Sequence, residues 1–405
     1  MQSDYLDSDK IYPPLSLLYL KSYLELFNIK VGLEDLFDFS NIEKYQEWNM
    51  FGVTVMTPQR NISNQFLHHI KQSFLNKKVV IGGPHPTHYF DDVSKEKWDY
   101  IVQFDGQRSL LRIMEGNESR FYIDKMNKVE WESMPRPDRV SNEAIKLLSN
   151  YNYFLKGKKS TTMLTSTGCF QKCEFCEEFS TSVRRSSLTK IKEELNDIKE
   201  LGYEGVYIFD DLFVLSKSVT KPICDELKKR NLVYRCNGQA KFFNEELASI
   251  LVDTGCVEIA FGAESGSQTM LNNINKGTDI SQNYRFVELC NKYGIDCKAF
   301  LLIGAPGETR ETIRETERFI ENSGIKDFQL SIIYPYKGTK IRSRIDIGED
   351  IDLYFEGEGL GAYGQKNGST ESVVRTKELS SKDLLEERDR IVNKFKPDSH
   401  RKKWS

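Results

Sequence analysis

Cys169, Cys173 and Cys176 fall within eight positions, whereas the other five cysteines of the 405-residue chain (Cys224, Cys236, Cys256, Cys290 and Cys297) are scattered singly. Single cysteines read as small buried hydrophobes. Three on one tight loop read as ligands, because a metal stabilises the thiolate at neutral pH. Structural zinc takes four ligands, usually from two paired knuckles. No second knuckle is present, and the nearest histidines in sequence are His88 and His400. Iron and sulfide suit the set better. A 4Fe-4S cubane held by three cysteines leaves one iron open, where a substrate or cofactor can chelate.

The elements around this loop follow a repeating pattern. Apolar runs at Thr161–Ser166, Gly205–Phe209, Val233–Cys236, Val257–Phe261, Lys298–Ile303 and Phe328–Ile333 are separated by helical patterns. Six strand–helix units in a row predict a (β/α)6 partial barrel, whose chemistry sits at the carboxyl ends of the strands. The cysteine loop follows the first of these strands. A shorter series precedes it, with a helix from Leu15 to Phe27 and apolar runs at Val31–Leu36, Phe51–Met56, Val79–Gly82 and Tyr100–Val102. Apolar runs alternating with helices predict a parallel, doubly wound sheet. The expected organisation is an α/β protein with an N-terminal Rossmann-like domain over 1–116 and a linker over 117–158. The partial barrel would follow over 159–340, and a helical extension over 341–405.

Composition narrows the function. With 57 Lys+Arg against 60 Asp+Glu, the chain has no broad basic footprint for nucleic acid. The tail Lys394, Lys396, Arg401, Lys402, Lys403 reads as a solvated terminus. No apolar run approaches the roughly 18–20 residues that span a bilayer. Met1–Lys10 carries acids and no apolar core, so it does not read as a secretory signal. A cytoplasmic protein is expected. The glycine-rich stretch Gly357–Gly368 reads as a surface loop.

The segment Cys169-Phe170-Gln171-Lys172-Cys173-Glu174-Phe175-Cys176 resembles the Cys-x3-Cys-x-aromatic-Cys cluster loop of the radical S-adenosylmethionine (SAM) enzymes. The resemblance implies that Cys169, Cys173 and Cys176 hold a 4Fe-4S cluster, with Phe175 beside the adenine of SAM. One electron from an external reductant of flavodoxin or ferredoxin type would then cleave SAM to a 5′-deoxyadenosyl radical. Other segments match in family order. Arg184-Arg185-Ser186 precedes Glu193-Glu194, as in the family's Arg-Ser…Glu pattern. Phe209-Asp210-Asp211 resembles the strand-end acidic motif, and implies that Asp210 and Asp211 grip the SAM amino group. Gly262-Ala263-Glu264-Ser265-Gly266-Ser267 resembles the loop that places Glu264 and Ser265 near the ribose and carboxylate. Lys276-Gly277-Thr278 follows at the usual distance. Gly304-Ala305-Pro306-Gly307-Glu308-Thr309 resembles the loop after strand five, where Gly304 and Pro306 would approach the cofactor. Singly, Asp210-Asp211 also reads as a helix cap and Gly304–Thr309 as an ordinary turn.

Residues 167–340 resemble the subgroup that often carries an N-terminal cobalamin-binding domain. Pro13-Pro14-Leu15-Ser16-Leu17-Leu18-Tyr19-Leu20 is similar to the opening of such domains. Phe51-Gly52-Val53-Thr54 and Ile81-Gly82-Gly83-Pro84-His85-Pro86-Thr87 are similar to the segments around the cofactor, which implies Thr54, Gly82, Gly83, His85 and Thr87 as cobalamin contacts, although His85 also reads as a residue that hydrogen-bonds its own turn. Only about twelve residues precede the double proline, where the family usually has another strand. Its Gly-Glu-Gly-Glu turn is replaced by Phe104-Asp105-Gly106-Gln107, and no Asp-x-His-x-x-Gly motif is present. The implied activity is cobalamin-dependent methyl transfer to an unactivated carbon of a small molecule. The alternatives are cobalamin-free hydrogen abstraction, giving isomerisation, oxidation or coupling, and a non-catalytic iron–sulfur carrier. Cysteine placement predicts a single cluster.

Overall fold

The computed structural model describes residues 12–35, 41–177, 182–357 and 371–396, and both strand–helix series are present in it. Contacts divide the chain into two units: residues up to Tyr153 with Arg184–Gly202, and Phe154–Val183 with Tyr203 onward.

In the first unit, β1 (Met50–Thr54), β2 (Lys78–Gly82), β3 (Tyr100–Phe104) and β4 (Phe121–Asp124) form a parallel sheet in the order β1-β2-β3-β4. Alternate side chains serve opposite faces. Phe51, Val79, Ile81 and Ile101 pack with Phe66, Leu67 and Ile70 of the helix Arg60–Ser73. Val80, Val102 and Tyr122 pack with Ile113 of the helix Gln107–Met114. The strand order never reverses among the described residues, so this sheet lacks the switch-point crevice in which doubly wound sheets usually seat a ligand. The expected strand over Val31–Leu36 is not formed within the described residues. Lys30–Glu34 lies outside both sheets, and Val31 spends its apolar side chain on the cluster of Tyr23, Leu24, Met126, Trp131 and Met134. The stretch 117–158 supplies β4 and the helices Lys128–Ser133 and Asn142–Leu148.

The helix Leu188–Glu200 groups with this unit, although the strands on either side of it in the chain do not. Its ion pairs give the reason. Arg139 is fully buried and donates through Nε and Nη2 to Glu194 at 3.0 and 2.7 Å. Arg136 donates to Asp197 at 2.8 Å. Arg184 donates to Asp105 at 2.7 Å and lies 4.9 Å over the Trp131 ring. The Arg184…Glu194 motif therefore stitches together the first unit.

The second unit is built on β5 (Tyr153–Leu155), β6 (Lys158–Met163), β7 (Gly205–Ile208), β8 (Val233–Gly238), β9 (Cys256–Glu264), β10 (Asp296–Ile303) and β11 (Asp327–Ile332), in the sheet order β11-β10-β9-β8-β7-β6-β5. From β6 to β11 every neighbouring pair is parallel, giving the six-stranded open half-barrel. β5 adds to its edge through the Lys156-Gly157 turn, where both residues have positive φ, as a type I′ hairpin requires. The helices Lys217–Lys229, Glu245–Asp253, Ile280–Tyr293 and Arg310–Ser323 connect successive strands. Beyond the barrel, β12 (Leu353–Phe355) pairs antiparallel with β13 (Val374–Thr376), ahead of the helix Ser381–Phe395. Most of the glycine-rich stretch, from Gly359 on, and the basic residues Arg401–Lys403 lie outside the described residues. No described helix is long and apolar enough to cross a membrane.

Candidate active site

The cysteine loop leaves the carboxyl end of β6, and two adjacent carboxylates at the end of β7 fix its first residues. Asp210 is fully buried. Its carboxylate accepts from the Thr165 amide (2.7 Å), the Thr165 hydroxyl (2.5 Å) and the Ser166 hydroxyl (2.7 Å). Burial raises its pKa and these donors oppose the rise. Asp211 is exposed and accepts from the Gly168 amide at 2.8 Å, immediately before Cys169. Gly168 has φ 85°, a backbone region open mainly to glycine. Asp210 thus points into the fold as a clamp, while Asp211 keeps its carboxylate at the surface of the site.

The loop itself is held from further sides. The Glu174 amide donates to the Ile274 carbonyl (3.0 Å), and Asn275 Nδ2 donates to the Lys172 carbonyl (2.9 Å). The Glu174 carbonyl accepts from the Ile341 amide, and its carboxylate from Arg344 at 2.7 Å. Phe170 meets Phe242 edge-on, with centroids 5.7 Å apart. Cys173 is buried and Cys169 half-buried. Desolvation, chiefly, raises all three thiols, Cys176 to about 12, with the neighbouring cysteines adding to the rise at Cys173 and Cys176. Lys276 opposes it at each of the three. Thiols in such a setting release their protons when metal replaces them, so the donor set fits an iron–sulfur cluster. Among the described residues no three His, Cys, Asp or Glu side chains converge on one ion. A cubane needs no such convergence, since each cysteine holds a different iron.

Lys276 is buried and pairs with Glu264 at 2.7 Å, its ammonium lying 5.9 Å from the Phe175 ring. Glu264 ends β9 in a left-handed conformation (φ 59°), rare for a non-glycine residue and typical of strained functional positions. Gly262 makes the pair possible. A Cβ there would stand 2.1 Å from Glu264 Oε1 and 2.7 Å from Lys276 Nζ. Ser265 is turned inward, its hydroxyl 3.1 Å from that of Thr316. In the next loop Gly304 has φ 82° and donates its amide to Glu308 at 3.0 Å, and the Pro306 carbonyl accepts from Asn273 at 2.9 Å. Glu308, nearly fully buried, also accepts from the Thr312 hydroxyl, and burial pushes its carboxyl up to about 7. Gly304 and Pro306 therefore build a self-bonded turn. The sequence motif Lys276-Gly277-Thr278 carried no assigned role, and the structure pairs its lysine with Glu264 close to the Phe175 ring.

In the first unit, Thr54, Gly82 and Gly83 are half-exposed at the carboxyl ends of β1 and β2. A Cβ on Gly83 would stand 2.7 Å from the Thr54 hydroxyl. His85 and Thr87 are buried. His85 Nδ1 lies 3.4 Å from the Thr57 hydroxyl, Nε2 lies 3.4 Å from Asp92, and the ring stacks on Tyr89. Thr87 donates to the Gly83 carbonyl and accepts from the Phe104 amide.

Known proteins resemble the chain in sequence and fold. Residues 163–320 match the radical SAM superfamily model. An uncharacterized methyltransferase of Pyrococcus horikoshii is 28% identical over 355 residues, 81% of this chain and 77% of that protein. An anaerobic magnesium-protoporphyrin IX monomethyl ester cyclase of Rubrivivax gelatinosus is 25% identical over 75% of this chain, which spans 61% of that relative's length. The radical SAM methyltransferase TsrM from Kitasatospora setae, solved with cobalamin and a 4Fe-4S cluster bound, superposes with a TM-score of 0.70 at 18% identity, covering 87% of this chain and 76% of TsrM. That last likeness is one of fold. The segment similar to the radical SAM superfamily runs from the end of β6 into the helix Arg310–Ser323 and contains all three cysteines of the loop.

Proposed function

We propose that the protein is a radical SAM enzyme with one 4Fe-4S cluster on Cys169, Cys173 and Cys176, and that it methylates an unactivated carbon of a small molecule with cobalamin as the methyl carrier. The observation behind the first part is the cysteine loop at the carboxyl end of the first parallel strand, pinned by Asp210 and Asp211 beside a buried ammonium. When bound, the cluster supplies the single electron, drawn from an external reductant, that splits SAM into methionine and a 5′-deoxyadenosyl radical. The chain's own residues bind and orient. Asp211 offers an exposed carboxylate for the SAM ammonium, next to Cys169. Phe175 offers a ring face for adenine, and Glu264 and Ser265 set the floor at the end of β9. Gly304 and Pro306 shape the neighbouring turn and leave room for backbone to approach the ligand.

The methyl-transfer part is supported by the relative named a methyltransferase and by the fold shared with TsrM. Thr54, Gly82 and Gly83 stand half-exposed at the strand ends, and cobalamin there would supply the methyl group. His85 and Thr87, the other expected contacts, spend their polar atoms inside the fold. That commitment, with the unreversed strand order, favours a second reading in which the first unit is a cobalamin-free shell and the reaction is hydrogen abstraction alone. Anaerobic reconstitution with iron, sulfide and hydroxocobalamin, followed by desalting, separates the two. The first reading expects about four irons and one cobalamin per chain, with 5′-deoxyadenosine formed from SAM under dithionite. Cluster and cleavage without cobalamin would overturn methyl transfer. Alanine at Cys169, Cys173 or Cys176 is expected to remove iron and cleavage together, and retained cleavage would refute the cluster assignment.

A further inference from the structure

The turn Ile274–Gly277 does more than cross the cysteine loop. Its backbone and side chains grip that loop twice, through the Ile274 carbonyl on the Glu174 amide and the Asn275 side chain on the Lys172 carbonyl. Two successive departures from ordinary backbone, Asn275 at φ 50° and Gly277 at φ 64°, flank Lys276. The side chain between them is directed inward, where its ammonium is nine-tenths buried and close to Phe175. Burying an ammonium is costly unless a specific interaction offsets it. Glu264 offsets part of the cost, held within reach by its strained backbone and by the absence of a side chain at Gly262. The ammonium lies 5.9 Å from the ring of Phe175, which stands between Cys173 and Cys176 in the loop.

We propose that Lys276 is a positioning residue that sets the reduction potential of the cluster, and that Glu264 trims its effect. The inference rests on the cluster assignment above. Reduction adds one electron, from an external one-electron donor, to the cluster and its three thiolates. A fixed positive charge beside them favours the reduced form, and a negative charge opposes it. The Lys276–Glu264 pair therefore biases the cluster toward accepting an electron before SAM is cleaved.

The test is an EPR-monitored redox titration of the reconstituted full-length protein, wild type against Lys276→Met, Lys276→Arg and Glu264→Gln, with iron and sulfide counted in each sample. For Lys276→Met we expect the ratio of reduced to oxidised cluster at a fixed poise to fall at least tenfold, a shift of about 59 mV for one electron. Lys276→Arg should stay near wild type, and Glu264→Gln should move in the opposite direction to Lys276→Met. A purely structural role would loosen the loop in both Lys276→Met and Glu264→Gln, lowering iron content without opposite shifts. Equal potentials in variants that retain four irons would overturn the inference. A wild-type protein with no reducible cluster would instead overturn the cluster assignment.

Discussion

Replacing Glu308 by glutamine should make the second unit more stable at pH 8 and leave it unchanged near pH 4. In the native structure the Glu308 carboxyl is buried, with the Gly304 amide on one oxygen and the Thr312 hydroxyl on the other. Those two donors do not offset the loss of water, and the carboxyl rises from 4.5 to about 7. A raised acid binds its proton more tightly folded than unfolded. Its favourable contribution is therefore complete below the unfolded value and is lost as pH climbs from about 4.5 through about 7. At about 1.4 kcal/mol for each pH unit between the two values, the ionised carboxylate costs about 3 kcal/mol at pH 8. Glutamine carries no charge. Its amide oxygen can accept from Gly304, and its amide nitrogen can donate to the Thr312 hydroxyl. Urea denaturation of wild type and Glu308→Gln, followed between pH 4 and pH 8, should give curves that coincide at low pH. They should then separate by about 2–3 kcal/mol, equivalent to several degrees in Tm at about 2–4 °C per kcal/mol. Parallel curves across the whole range would refute the reasoning, because they would mean that the charge on Glu308 costs the fold nothing.

Two further variants test the packing around the site and the first unit. Gly266→Ala should destabilise by about 1–3 kcal/mol through overpacking, because the new Cβ would stand 2.5 Å from the Glu315 carbonyl and the Thr316 Cα, and an unchanged denaturation midpoint would show that the helix Arg310–Ser323 can retreat freely. Arg139→Met should cost about 3–5 kcal/mol by stranding the buried Glu194 carboxylate, while Arg139→Met with Glu194→Leu should recover most of it. A double variant no better than the single one would mean that the pair fixes geometry that apolar side chains cannot replace.

The barrel was legible because each strand is a short apolar run with a helical pattern after it, and its chemistry because three cysteines crowd one loop. The helical extension expected over 341–405 has its long helix at Ser381–Phe395. Less local features were hidden. Val31 belongs to a cluster that includes Trp131, a hundred positions away, and an apolar run reads the same whether it pairs in a sheet or packs as irregular chain. Asp210 and Asp211 are adjacent and chemically alike, yet one is consumed inside the fold and the other faces outward. Only the tertiary position of Thr165, Ser166 and Gly168 makes that distinction. Lys276 stands in a recognisable motif, but nothing in a single lysine announces a buried pair with a glutamate twelve positions earlier.

The allegiance of the helix Leu188–Glu200 bears on how the chain is made. As the polypeptide emerges from the ribosome, the first unit holds Arg136 and Arg139 while their acidic partners are still some fifty or sixty residues away in the sequence. Between them the ribosome must deliver β6 and the cysteine loop, the opening of the second unit. The first unit therefore cannot close its core until the second has begun. The two share a single folding schedule, and a chain interrupted between residue 158 and residue 190 would leave a cation buried with no counter-charge.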